Sequence, residues 1–273
     1  MTATGTCSLA FLLLFCGSGY SASLSLGFDA STRFAGGQVT ARVTITNQGD
    51  ESAKSVYVEA LLGKRSVSSS RIETLPVDSS NEWNIELGSP PKPRGVHTIA
   101  LRVRYTDIYG HPASGLHTVP VYTGDAPAGR SSGSELSSTT IKQSGALKLT
   151  LNAHQGFTNE VACRLILPSE IRCDQPVVSL HPTAGEKVEH LFEIHNGTAL
   201  RGSRYRVFVV LDYVLDGLHA STVEVGILEV NPYRKFSIRE RNLWIVVIAM
   251  LVIAFIAAQF FPVRRNKTVD KQS

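Results

Sequence analysis

Apolar and polar residues alternate in short runs along most of this chain, with a period of two rather than the 3.6 of a helix. In the first half the pattern runs through "LSLGF", "QVTARVTITN", "SVYVEALL", "SSRIETL", "EWNIEL", "HTIALRVRYT" and "LHTVPVYT". The second half repeats it in "ALKLTLNA", "EVACRLIL", "PVVSL", "KVEHLFEIHN", "YRVFVVLDYV" and "STVEVGILEV". Gly, Asn, Pro and Ser punctuate these runs, as turns between strands require. The reading is an all-β protein with two sandwiches in tandem, over 24–123 and 146–231. Residues 124–145, with six Ser and four Gly, read as a flexible linker between them.

Two segments break the alternation. Residues 9–16, "LAFLLLFC", are a short apolar run followed by small and polar residues. That is the layout of a secretory signal peptide over 1–23, with Ser21 and Ser23 at the −3 and −1 positions of the cut. Residues 243–261, "LWIVVIAMLVIAFIAAQFF", are nineteen residues without a charge. At ~1.5 Å per residue such a helix covers the hydrocarbon core of a bilayer, with Trp244 at one interface and Pro262 ending it.

Charge sorts by region. Residues 24–231 hold 19 Lys+Arg against 21 Asp+Glu, a net of −2, although the whole chain is +4. The flanks of the apolar segment, 232–242 and 262–273, hold 8 against 2. The basic balance belongs to the membrane ends, which argues against a nucleic-acid partner for the rest. The signal peptide orients the helix: a single-pass type I protein of the cell membrane, its sandwiches extracytoplasmic and its basic tail in the cytoplasm.

The halves echo each other. "GGQVTARVTITNQG" (36–49) matches "AGEKVEHLFEIHNG" (184–197) in kind. "YTDIYGHPASGLH" (105–117) and "DYVLDGLHAS" (212–221) both look like chemistry, with Asp, His and Ser close together. Gly110, Ala113 and Ser114 lie 107 residues before Gly217, Ala220 and Ser221. The reacting groups do not keep that register, since His111 falls opposite Leu218 and Asp107 opposite Val214. A duplicated site keeps its reacting groups, whereas a duplicated hairpin keeps its turn. The expectation is therefore two hairpins, with Gly110, Ser114, Gly217 and Ser221 as turn residues.

The stretches "GGQVTARVTITNQGDESAKSVYVEALL", "LPVDSSNEWNIEL" and "GVHTIALRVRYTDIYGHPAS" resemble the bacterial CARDB-type and related Ig-like repeat domains. The resemblance covers 24–123 well and 146–231 more loosely, where "LPSEIRCDQP" is inserted. It implies Ig-like sandwiches used for adhesion, spacing or partner contact outside the cytoplasm. It carries over no catalytic residue.

Other candidates are weaker. Gly129–Gly133 matches G-x-S-x-G, but no strand and helix flank Ser131 to make a nucleophile elbow. In "EHLFEIH", alternation puts Glu189, Glu193 and His195 on an outer face and His190 on an inner one, without a matched set of metal ligands. Tyr57, Trp83, Tyr105, Tyr109 and Tyr122 either stack on carbohydrate or fill the core. Asn196-Gly197-Thr198 is a glycosylation sequon. Cys7 and Cys16 leave with the signal peptide. Cys163 and Cys173 remain, and a hairpin turning at Pro168 pairs them directly, which predicts a disulfide in an oxidising exterior.

These readings converge on a non-catalytic, membrane-anchored envelope protein without cofactor or metal, whose sandwiches bind a protein or carbohydrate. The alternative is an accessory subunit of a membrane complex for polymer secretion or assembly.

Overall fold

The computed structural model describes residues 24–90, 94–125, 133–152, 160–183, 185–215, 217–231 and 246–255. The first sandwich contains β1 (Leu26–Ala35), β2 (Gln38–Asn47), β3 (Ala53–Leu62), β4 (Arg65–Ser68), β5 (Ile72–Leu75), β6 (Ser80–Gly88), β7 (Val96–Thr106) and β8 (Pro112–Tyr122). One sheet runs β1-β2-β6 and the facing sheet β4-β3-β7-β8, with β5 also paired to β3. Alternate residues of the strands meet between the sheets, among them Val39, Val43, Ile45, Val58, Leu87 and Leu101. Trp83 belongs to this core, and its indole N–H donates to the Ser70 carbonyl at 3.0 Å.

The second sandwich contains β9 (Glu135–Leu136), β10 (Thr139–Ile141), β11 (Ser144–Asn152), β12 (Val161–Ile166), β13 (Ile171–Cys173), β14 (Val177–Leu180), β15 (Lys187–Asn196), β16 (Arg204–Leu215) and β17 (Leu218–Val230). Its sheets run β10-β17-β16-β12-β14 and β13-β15-β11-β9. All these pairings are antiparallel except β10 on β17. Leu147, Leu149, Phe192, Ile194, Val209 and Leu211 fill the space between the sheets.

Three expectations are corrected here. Residues 133–145 do not behave as a linker, because they carry β9, β10 and the start of β11; residues 126–132 lie outside the described residues. Leu136 and Ile141 anchor this polar stretch in the core, at 4 % and 1 % exposure. Two glycines make room for them: a Cβ at Gly226 would meet Leu136 Cδ2 at 3.0 Å, and one at Gly145 would meet Ile141 Cγ2 at 2.5 Å.

Cys163 and Cys173 are both free thiols. The hairpin that would join them does not form. A turn at Pro168–Glu170 sends the chain across to the opposite sheet, where Cys173 pairs with Ile194. Cys163 faces Val178 and Leu211 in its own sheet.

Gly110 (φ 85°) and Gly217 (φ 78°) occupy the turns between β7 and β8 and between β16 and β17, in the left-handed conformation that glycine adopts without strain. Ser114 and Ser221 are strand residues instead, opposite Arg104 and Asp212.

Of the apolar segment 243–261, the described residues 246–255 are helical and expose Val246, Ile248, Met250, Leu251 and Phe255. No helix among the described residues is long and apolar enough to cross a membrane. Residues 1–23 and the basic flanks 232–242 and 262–273 lie outside the described residues.

Candidate functional site

Two strands depart from simple alternation. His97–Leu101 in β7 and Val207–Leu211 in β16 are runs of five consecutive buried residues, the mark of a sheet covered on both faces. The inward residues of β7 and β16 serve the two cores. The outward ones meet each other, so the described residues from 24 to 231 form one compact unit. Ala100, Leu61 and Leu116 of the first sandwich pack on Ile166, Phe208, Val210 and Val223 of the second.

Polar contacts flank this apolar pad. At one side Ser221 Oγ donates to Thr98 Oγ1 at 2.8 Å, and the His219 amide donates to the Arg94 carbonyl at 3.0 Å. His97 and His219 stack beside them. His219 Nε2 lies 3.3 Å from Asp212 Oδ1. The "DYVLDGLHAS" stretch thus brings Asp212 and His219 together, but Ser221 bonds to the other sandwich and the imidazole is buried. The constellation fastens the two sandwiches to each other.

At the other side Glu170, 3 % exposed, reaches from the β12–β13 turn to β8. Its carboxylate accepts the Ser114 amide at 3.0 Å, the Ser114 hydroxyl at 2.6 Å and the Ser169 hydroxyl at 2.9 Å. A buried carboxylate needs such donors to offset its lost hydration. The insertion that sets the second half apart from the first supplies this clasp, which also explains why the chain turns at Pro168 rather than closing a hairpin.

Asp107 and His111 form a separate exposed pair. The His111 ring lies 2.8 Å from Asp107 Oδ2, and Asp107 Oδ1 accepts the amides of Tyr109 and His111. Desolvation acts to raise the Asp107 pKa, but these hydrogen bonds outweigh it and hold the carboxyl below its ordinary value. The group builds the β7–β8 turn.

Two clefts open along the seam, each walled by both sandwiches. The larger, about 720 Å³, gathers Tyr105, Tyr109 and Tyr205 with the carboxylates of Glu51, Asp107 and Glu170. Tyr109 is 75 % exposed, whereas burial and the neighbouring Glu170 charge push the Tyr105 phenol up to about 12. The second cleft, about 700 Å³, pairs an apolar floor with Lys64, Arg65, Arg102, Arg164 and Arg172. Both volumes lie in the range of small-molecule sites, roughly 300–1,000 Å³.

The remaining candidates disperse. Tyr57 lies under the Arg71 guanidinium at 4.7 Å, and Tyr122 is exposed away from the tyrosine cleft. Glu189 pairs with Lys148 and Lys187, His195 lies 3.8 Å from Asp174, and His190 packs edge-on against Phe192. Among the described residues no group of three or more metal-capable side chains occurs. Asn196 exchanges two hydrogen bonds with the Ala199 backbone, so its amide already fastens a turn. Ser131 lies outside the described residues.

Fold and seam define an all-β protein of two sandwiches packed on each other. No family model matches the chain, and no curated protein matches it. Among solved structures, red sea bream transglutaminase is 12 % identical over 73 % of this chain and 31 % of its own, with a TM-score of 0.24. Escherichia coli alpha-2-macroglobulin in its native conformation is 11 % identical over 77 % and 17 %, with a TM-score of 0.31. The fibronectin(III)-like modules of Clostridium thermocellum CbhA are 12 % identical over 78 % and 98 %, with a TM-score of 0.21. The chain therefore spans less than a third of the first two proteins it is similar to.

Proposed function

We propose that this chain is a non-catalytic, single-pass envelope protein of the CARDB-like kind, which holds its two sandwiches outside the membrane as one binding body. The observation that carries the reading is the seam: clefts walled by both sandwiches exist only because the two are packed together. The tyrosine cleft suits a carbohydrate or a peptide, since the exposed face of Tyr109 stacks on apolar ligand surfaces while Glu51 accepts hydrogen bonds. The near-neutral charge of residues 24–231 favours such partners over nucleic acid. Export by residues 1–23 and anchoring by 243–261 belong to the same proposal. They are supported by the two apolar runs and by the exposed apolar side chains of 246–255.

A second reading, an accessory subunit of a membrane complex for polymer secretion or assembly, draws on the basic residues at both ends of the apolar segment. There the helix itself is the working contact. One experiment separates the two: replace residues 243–261 with an unrelated apolar helix and compare the partners recovered from detergent extracts. A tethered binder retains its partner, and a complex subunit loses it. Orientation is tested in parallel by adding protease to intact cells or spheroplasts. Residues 24–231 are expected to become accessible while a tag after Ser273 survives, and digestion of that tag overturns the topology.

A further inference from the structure

The two clefts along the seam have opposite chemistry, and the basic one has no role in the function proposed above. Its floor is apolar, built from Leu61, Leu165, Ile166, Leu167, Ile171 and Val177. Five cations line it against the single carboxylate of Asp174. Asp174 points to solvent, with 84 % of its side chain exposed, and lies 3.8 Å from His195.

The positive charge is not compensated from within. Glu59 serves both Arg102 (3.2 Å) and Arg104 (3.1 Å), so one carboxylate is shared between two guanidiniums. Arg164 feels the charge of Asp212, but that carboxylate also lies against His219. Lys64 and Arg172 are exposed and have no ion-pair partner among the described residues. Burial lowers the pKa of Arg102, with Glu59 opposing it. Arg65 donates to the Leu87 carbonyl and Arg102 pairs with Glu59, which leaves Lys64 and Arg172 as the exposed cations beside the apolar floor, an arrangement that fits a ligand with an anionic head and an apolar body. A free inorganic anion would leave the floor empty, and a neutral apolar molecule would leave the cations unpaired.

We propose that this cleft binds a single-chain amphiphilic anion: a linear apolar chain ending in a carboxylate or phosphate. The chain lies on Leu167, Ile171 and Val177, and the head sits between Lys64 and Arg172. Each of these cations comes from a different sandwich, so the site exists only while the seam is closed. The inference stands apart from the identity of the partner proposed above.

Cys173 lines the same cleft and is half-buried, whereas Cys163 is buried in the core, so Cys173 reports on occupancy. The test uses the full-length chain in nanodiscs of zwitterionic lipid at pH 8.5, following Cys173 alkylation by peptide mass spectrometry. Octyl phosphate is the probe, with octanol and inorganic phosphate as the two half-ligands. At ten times its half-saturating concentration, octyl phosphate is expected to slow alkylation about tenfold by mass action. Octanol and inorganic phosphate at the same concentration are expected to leave the rate within about twofold. The exposed double variant Lys64→Glu/Arg172→Glu should abolish protection, its fold checked by circular dichroism. Equal protection by octanol, equal protection by inorganic phosphate, undiminished protection in the variant, or no protection by octyl phosphate each overturns the proposal. If a partner is still recovered in the helix-replacement experiment, the binding function survives that failure.

Discussion

His97 of the first sandwich and His219 of the second stack with ring centroids 4.2 Å apart and planes 26° apart. The contact spans 122 positions of sequence and joins two domains that each have a complete core of their own. Stacked rings contribute roughly 0.5–1.5 kcal/mol beyond the area they bury. A double-mutant cycle with His97→Ala and His219→Ala, read by denaturant unfolding, is expected to give a coupling energy of about that size. Additive effects would place the rings out of contact.

Gly95 tests the same approach through the backbone. It lies at φ 125°, bridges to His219, and a Cβ on it would overlap the His219 carbonyl. Gly95→Ala therefore strains one backbone and pushes on the other, at a cost of about 1–3 kcal/mol. A neutral effect on the unfolding midpoint would mean the strands do not meet there.

Glu170 clasps the opposite side of the seam. Glu170→Ala strips three hydrogen bonds from two serines, and Ser114→Ala removes the Oγ donor from a buried carboxylate. Each is expected to destabilise the chain by about 1–3 kcal/mol, with the double variant less destabilised than the sum. Full additivity in chemical denaturation would show that the two side chains do not interact.

Tyr105 carries the pH dependence. Burial, then the Glu170 charge, raises its phenol from 10.0 to about 12. A raised folded-state value means that the folded chain holds its proton longer than the unfolded one. Its contribution to stability is intact below pH 10 and is lost as pH climbs towards 12. Burial also raises Tyr205 and Tyr213, so ultraviolet titration should show several late-ionising tyrosines, one fewer in Tyr105→Phe, and the variant's stability should fall less between pH 10 and 12. A wild-type titration unchanged by the substitution would contradict this.

Much of the fold was legible in the sequence, because a half-buried strand writes its burial as alternation; Val39, Ala41, Val43 and Ile45 of β2 are the plainest case. The seam was written too, in a different sign. "VFVVL" is a continuous apolar run, and continuity marks burial on both faces, whereas in "HTIAL" the polar His97 and Thr98 conceal the same burial. The strands at 135–141 were hidden by composition, since two apolar residues anchor an otherwise polar stretch. The two cysteines misled because ten-residue spacing around a proline fits a hairpin, and nothing local reveals that Glu170 is needed elsewhere. The clefts depend on surfaces from distant strands, so no local pattern announced them.

The central claim is that the two sandwiches form one body through a defined face. Thr98 Oγ1 and Ser221 Oγ stand 2.8 Å apart across it, 123 positions apart in sequence. A Thr98→Cys/Ser221→Cys variant places two thiols within reach of a disulfide if the strands lie as described. After mild oxidation, peptide mapping under non-reducing conditions is predicted to recover most of the protein with residues 98 and 221 linked. Recovery of both introduced thiols in alkylated form, under conditions that oxidise an exposed pair, would contradict the account.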